Sequence, residues 1–420
     1  MQLFLRGIVL PFQKGKTLMR GIEELPVPAA VRMPVGRADK PSPIASLPEE
    51  APLAAGQVLC TPEGDVPVVS PISGILEGTV VMQNSLYGSL LCADIQPEGE
   101  RTDLLPVIPE DELTASVILD IAREAAVYDE LDGSPLWQKL QRWQLPENDP
   151  AAKTCILVAD ATENDVYGSS AWAVLMEQPR LALFGLQMAA RALRFSRYHI
   201  ATMLPKRRRR TLKRAIGREN VYTVGDEYPV TVYADGDTEV YRIGIQACLA
   251  LGRALKQGLR HTAAIVTVAG DGVPAARNMR VPFGTDLRAL LSACQAESHV
   301  LPILGDAMTG VACDDLQTPI LPGVTTVLAM KPRPIRVPKP CIGCGRCAAV
   351  CHAGLLPYEI VRRAENMHYE RLQHLSPGDC DGCAVCSYVC PAGRDVAAEV
   401  LKAGETKGTM FLNWGEDDNE

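Results

Sequence analysis

The stretch "CIGCGRCAAVCHAG", residues 341–354, and its near-copy "CDGCAVCSYVCPAG", residues 380–393, decide how the end of this chain folds. Each sets three cysteines at intervals of three residues and a fourth four residues later. These are Cys341, Cys344, Cys347 and Cys351, then Cys380, Cys383, Cys386 and Cys390. His352 follows the fourth in the first run, and Pro391 follows it in the second. Three thiolates at this interval can wrap one face of a metal–sulfur cube in a tight loop, while the fourth points away from it.

In chains with two such runs, the fourth cysteine of each ligates the other run's cluster. The spacing therefore predicts two [4Fe–4S] clusters: Cys341, Cys344, Cys347 and Cys390 on the first, and Cys380, Cys383, Cys386 and Cys351 on the second. Each fourth cysteine is expected to begin a helix. Zinc is the alternative, but structural zinc prefers pairs of C-x2-C and four ligands in all, which this three-plus-one pattern suits poorly. "YEIVRRAENMHYERLQHL" (358–375) reads as a helix joining the halves, with Ile342, Val350, Val385, Tyr388 and Val389 as a dry shell around the clusters. His352 reads as a tolerated substitution at a backbone-shaping position, and neither it nor His368 completes a metal site.

Outward from that end, 420 residues exceed what one core organises, which predicts two to four domains. The net charge of −8 argues against nucleic acid as a partner. No apolar run approaches the roughly 20 residues of a membrane helix. The longest candidate, "SSAWAVLMEQPRLALFGLQMAARAL", is broken by Glu177, Pro179 and Arg180. With no charged start or cleavage site at its N-terminus, the chain is expected to be cytoplasmic. It would meet the inner face of the cell membrane only peripherally, through partners. The other six cysteines (Cys60, Cys92, Cys155, Cys248, Cys294 and Cys313) read as small buried hydrophobes. No Ser/His/Asp or Cys/His arrangement suggests a nucleophile, so no catalytic residue is assigned.

Composition divides the chain into an extended arm (1–42), a small all-β unit (43–100), an α/β unit (108–237) with a strand-like "TCILVADA" and helical spacing in "SSAWAVLMEQPRLALFGLQMAARALRFSRYHIATML", and a strand-and-helix unit (238–330). The proline-punctuated linker "KPRPIRVPKP", the cysteine unit (340–400) and an acidic tail (401–420) follow. The basic run "KRRRR" (206–210) reads as a solvated helix face.

Several motifs resemble the C subunit of the Rnf electron-transport complex along nearly the whole chain. "SPISGILEG" after "AGQVL" is similar to its barrel-sandwich hybrid, without the lysine a lipoyl arm would need. "VTVAGDGVPAARNMRVPFGTDLRALL" and "GDAMTGVACDDLQTPILPGVTTVLAM" are similar to its β-grasp and the segment leading to the clusters. "RGIVLPFQK" keeps Gly7, Pro11 and Lys14 of the family's G-G-x-H-P-P-x-x-K, with Val9 in place of histidine. The resemblance implies a multidomain α/β and α+β chain. Its parts would be a barrel-sandwich hybrid, an α/β domain like the flavin subunit of complex I, an SLBB-like β-grasp and a two-cluster ferredoxin-like α-helical domain.

It also implies an FMN and NADH site, and here the motifs diverge. Against the family's G-x-G-G-A-x-F-P-x-x-x-K the chain reads "YDELDGSPLWQK". Pro135 and Lys139 align, while Tyr128, Glu130 and Leu131 replace glycines, and Asp129, Glu130 and Asp132 would repel phosphate. "ADATEND" matches N-G-A-E-C-E-P only at Ala161, with Glu163 and Asp165 retaining its acidity. Pro135, Lys139, Glu163 and Asp165 are thus the vestige of a cofactor pocket, and FMN and NADH are expected not to bind in the family's way. The function implied is an electron-transfer subunit. It would relay single electrons between a partner flavoprotein or ferredoxin and a downstream acceptor, among the other subunits of a redox complex. Two alternatives remain open: an FMN-dependent NADH-oxidising subunit, and a cobalamin-reductase-like protein.

Overall fold

The computed structural model describes residues 7–18, 20–37, 50–62, 66–230, 238–334, 337–366 and 372–404. His368 and all but the start of the acidic tail lie outside these residues.

Cys155–Ala161 (β1) is buried at every position, as a central parallel strand covered on both faces must be. It pairs in parallel with Arg197–Thr202 (β2) and Glu239–Gly244 (β4), and β2 pairs with Val221–Thr223 (β3). The order is β3-β2-β1-β4. Ser170–Glu177 (α1), Pro179–Leu193 (α2), Lys206–Ile216 (α3) and Ile245–Gln257 (α4) cover this sheet. α2 and α4 cross where neither has a side chain: a Cβ on Gly185 would stand 1.8 Å from the Cys248 carbonyl oxygen. After β1 the chain builds outward to β2 and β3, then returns to the other side of β1 as β4. The gap between β1 and β4 is therefore a topological switch point, and ligands of open α/β sheets lie beyond the strand ends there.

Three expectations need correcting. β4 and α4, read as the start of the 238–330 unit, instead complete the parallel sheet, because Ile243 and Ile245 are buried in its core. "RYHIAT", read as a helix tail, is β2. Arg194 ends α2 in the left-handed conformation (φ 63°) usually left to glycine, so no residue type announces the stop. Val31–Arg37, read as part of an extended arm, is a strand of a four-stranded antiparallel sheet with Gly88–Pro97, Gly74–Asn84 and Ala51–Leu53. Its pattern is masked by Pro34 and Gly36, where the ladder carries a bulge.

A six-stranded mixed sheet is built on Ala263–Ala269, Arg277–Pro282 and Thr326–Met330, and takes Ile22–Glu24 as one edge. Helix Leu287–Ala293 opens on Asp286, whose side chain accepts from the Ala289 amide. This sheet and the four-stranded one share an apolar core: Met33, Leu53 and Ile95 from one side meet Val266, Phe283 and Val327 from the other.

All six scattered cysteines are buried free thiols, as expected. The basic run forms the solvent side of α3, anchored by buried Leu212 and Ile216. No described helix is long and apolar enough to cross a membrane.

Candidate metal centre and the cleft beside it

The cysteine-rich end is two short loops carried by a small helical frame. Pro357–Glu365 and Val396–Gly404 pack through Ile360, Val361, Val396 and Val400. In the first loop, Gly343 and Gly345 flank Cys344 with φ of 66° and 72°. In the second, Gly382 and Ala384 flank Cys383 with φ of 72° and 61°. This repeated left-handed pair curls the backbone around the central cysteine, the concave geometry in which amides face an anionic group. The Gly343 amide accordingly donates to Cys341 Sγ at 3.4 Å, and the Gly382 amide to the Cys380 thiol.

Each fourth cysteine follows a short helix and does not begin one: Cys351 caps Arg346–Val350, and Cys390 lies just beyond Val385–Tyr388. Cys351 thereby crosses to the second loop. Together with Cys380, Cys383 and Cys386 it lines a single cavity, otherwise walled by Leu355, Val385, Ala397 and Val400 among others. In the other set, Cys347 and Cys341 are near enough for the charge of one to raise the other's pKa. Burial pushes the Cys383 and Cys386 thiols up to about 12. A bare thiolate is unfavourable there, and a bound metal's positive charge is what would deprotonate these groups. Free soft donors converging in an apolar cavity fit an iron–sulfur cluster, whose sulfurs such amides and such a shell would tune.

His352 Nε2 stands 2.8 Å from Asp381 Oδ2, an ion-pair distance. Asp381 holds the imidazolium form above its usual range. His352, Asp381 and Cys383 each offer one donor atom within 4.8 Å of one another, so the histidine lies beside the thiol set and its Nε2 faces Asp381. Of the expected dry shell, Val385 is buried, but Ile342 and Tyr388 are 69% and 57% exposed.

The second site is a cleft of about 320 Å³ at the switch point. Its walls are the turn after β1 (Asp160–Asp165), the first turns of α1 and α4, the loop around Glu130 to Gly133, and Tyr228, Asp306 and Gly323. The four residues expected to mark a cofactor pocket divide here. Glu163 and Asp165 line the cleft, whereas Pro135 caps helix Leu136–Trp143, and Lys139 is buried against Asp129 and Asp132 at 2.6 Å each. Lys14, the lysine of the arm that matches the family motif, is also consumed. Its ammonium donates to Asp165 Oδ1 at 3.1 Å and to the Gly168 carbonyl.

Sequence reasoning flagged Glu130 as bulky and acidic but missed its partner. The Gln246 amide donates to Glu130 Oε1 (2.5 Å), the Ala247 amide to Oε2 (2.9 Å), and the Gly244 amide to Asp129 Oδ1 (2.9 Å). These are the orphan donors of α4's first turn. Gly244 makes room, since a Cβ there would meet the Glu130 carboxylate within 2.0–2.3 Å. The available signal was "YRIGIQAC", a strand running into a helix through glycine with no capping side chain. Burial, with Asp129 adding to it, pushes the Glu130 carboxyl up to about 8 against the pull of those amides. Glu163 likewise caps α1, accepting from the Ala171 amide (2.5 Å) and from Ser170 Oγ (3.2 Å), and burial pushes it up to about 7. Cleft and cysteine loop touch through Tyr228, whose hydroxyl donates to the Cys383 carbonyl at 3.0 Å.

Residues 340–394 match the family described as the 4Fe-4S dicluster domain. The chain is 31% identical over 143 residues to the C subunit of the ion-translocating oxidoreductase complex of Rhodobacter capsulatus, covering 33% of this chain and 27% of that protein. It is 26% identical over 355 residues to the corresponding protein of Vibrio cholerae, covering 75% and 44%. With that of Serratia proteamaculans it shares 24% identity over 363 residues, covering 76% and 49%. The chain spans about half, or less, of the length of these curated relatives. Among solved structures it is similar to NAD+-reducing [NiFe]-hydrogenase in the air-oxidized state, at 13% identity and a TM-score of 0.45, covering 72% of this chain and 65% of that one. By sequence the chain is similar to the C subunits of ion-translocating oxidoreductase complexes.

Proposed function

We propose that this protein is an iron–sulfur electron-transfer subunit of an Rnf-like redox complex. It would relay single electrons through two [4Fe–4S] clusters between a partner flavoprotein or ferredoxin and a downstream acceptor. Cys341, Cys344, Cys347 and Cys390 would hold one cluster, and Cys380, Cys383, Cys386 and Cys351 the other. The observation that carries this reading is the gathering of Cys351 with Cys380, Cys383 and Cys386 around one apolar cavity, which supports crossed ligation. Bound there, the clusters would supply one-electron redox chemistry. The chain's own part is to hold the thiols, direct amides at sulfur and keep water from the second site. The upstream sheets would set how this end meets its partners. The reading also puts the chain in the cytoplasm, in contact with the membrane only through partner subunits.

Anaerobic preparation followed by iron and acid-labile sulfide analysis tests this. About eight of each per chain, with a reduced-state paramagnetic spectrum showing two coupled centres, is the expected result. A colourless protein holding zinc would refute it.

A further inference from the structure

The cleft sits where an open α/β sheet holds its ligand, and its two helix N-termini are what a phosphate would seek. Both are already occupied by the chain. At α4 a single side chain, Glu130, fills the position, with each carboxyl oxygen taking one amide of the first turn. Asp129 takes the third amide, from Gly244. We propose that Glu130 is an internal substitute for a bound phosphate monoester, seated on the N-terminus of α4 so that phosphate-bearing ligands, FMN among them, are shut out of the cleft.

The arrangement is held from behind. Lys139 bridges Asp129 and Asp132. The Gly133 amide donates to the Asp129 carbonyl and the Asp129 amide to the Ser134 carbonyl, both at 2.8 Å, closing the loop that carries Glu130. The glycine at position 244 admits the carboxylate where any side chain would clash with it. An incoming phosphate would have to displace Glu130 into a cleft already lined by Asp132, Asp160, Glu163, Asp165 and Asp306. The one arginine lining it, Arg242, is paired with Asp160. A phosphate monoester therefore does not fit these residues. The closure does not depend on the cluster assignment, and each can fail without the other.

The test uses the full chain, with inorganic phosphate and FMN as probes and calorimetry as the readout. Wild type is expected to bind neither. Glu130→Gly, which vacates the seat, is expected to bind phosphate at least tenfold more tightly than wild type. Glu130→Ala serves if the glycine variant does not fold. Glu130→Gln keeps the seat filled and is expected to stay closed. Stoichiometric FMN in wild type, a folded Glu130→Gly or Glu130→Ala with no gain in phosphate affinity, or a gain in Glu130→Gln equal to that of Glu130→Gly would each overturn the proposal. The wild-type measurement decides even if every variant fails to fold.

Discussion

At the cysteine-rich end, thiols converge on a cavity where burial outweighs the backbone amides that would favour thiolates. In the cleft at the switch point, amides of the two helix N-termini are taken by carboxyl groups of the chain. Glu130 reaches the Gln246 amide from 116 residues away and Lys14 reaches Asp165 from 151, while Glu163 caps the helix that follows it. The contrast is between free thiols gathered around one cavity and helix-terminal amides that the chain itself caps. Resemblance to a family treats the two alike, whereas hydrogen-bond satisfaction separates them.

The largest expected effect breaks the first half of that contrast. The cysteine-rich end has a small apolar core, centred on residues such as Ile360, Val361, Val396 and Val400, and such cores are marginal without a metal or crosslink. Stripping iron anaerobically should melt residues 340–404 while the body keeps its transition, followed by hydrogen exchange. Cys351→Ala and Cys386→Ala should each remove the same half of the iron, and Cys390→Ala the other half. Full protection of this end without iron would show that its thiols are not awaiting anything.

In the cleft the test is to unmake the internal pairing. Lys139→Met leaves Asp129 fully buried with its cation gone, a loss of about 3–5 kcal/mol by chemical denaturation. Iron content should not change. A cost below about 1 kcal/mol would mean the loop behind Glu130 is not held as described.

Glu130 also makes the cleft pH-sensitive. Burial pushes its carboxyl up to about 8 in the fold, against about 4.3 in an unfolded chain. A raised carboxyl contributes stability that is complete below the unfolded value and is lost as pH climbs through the folded one. Wild type should therefore weaken relative to Glu130→Gln between about pH 5 and pH 8. The slope for one proton is at most about 1.4 kcal/mol per pH unit. Parallel stability curves for the two proteins would show that the carboxyl is ionised and content at the helix terminus.

What could be read in the sequence follows the distance over which each feature is encoded. The cysteine loops are local: intervals of three residues, with Gly343, Gly345 and Gly382 supplying left-handed turns, so their residues were legible at once. Even there Ala384 holds the fourth such turn without being glycine, and the exposure of Ile342 and Tyr388 depends on packing that spacing does not encode. β1 announced itself by its unbroken burial-prone run. Val31–Arg37 did not, because Pro34 and Gly36 interrupt the alternation that tertiary pairing with Gly88–Pro97 restores. The cleft was legible as a loss, from bulky residues where glycines belong. That Glu130 had been put to use on α4 was not, since a cap supplied from another unit leaves only an uncapped glycine junction as its trace.

Tyr228 joins the two regions, and removing its hydroxyl is the finest test of how separate they are. Its ring lines the cleft, its backbone pairs with Ile8 in the ribbon that ties down the arm, and its phenol donates to the Cys383 carbonyl. Tyr228→Phe deletes that bond and touches no thiol, so iron content should stay at the wild-type level. The cost should be about 0.5–1.5 kcal/mol, the usual worth of one hydrogen bond. It should appear as faster hydrogen exchange around residues 380–390 and leave the sheet of β1 to β4 unaltered. If exchange in that sheet rises too, the cleft and the cysteine loop form one cooperative unit, and a change in either would be felt by the other. If neither region responds, the cysteine-rich end is held to the body by apolar and linker contacts alone, and the Tyr228 bond only marks where the two surfaces meet.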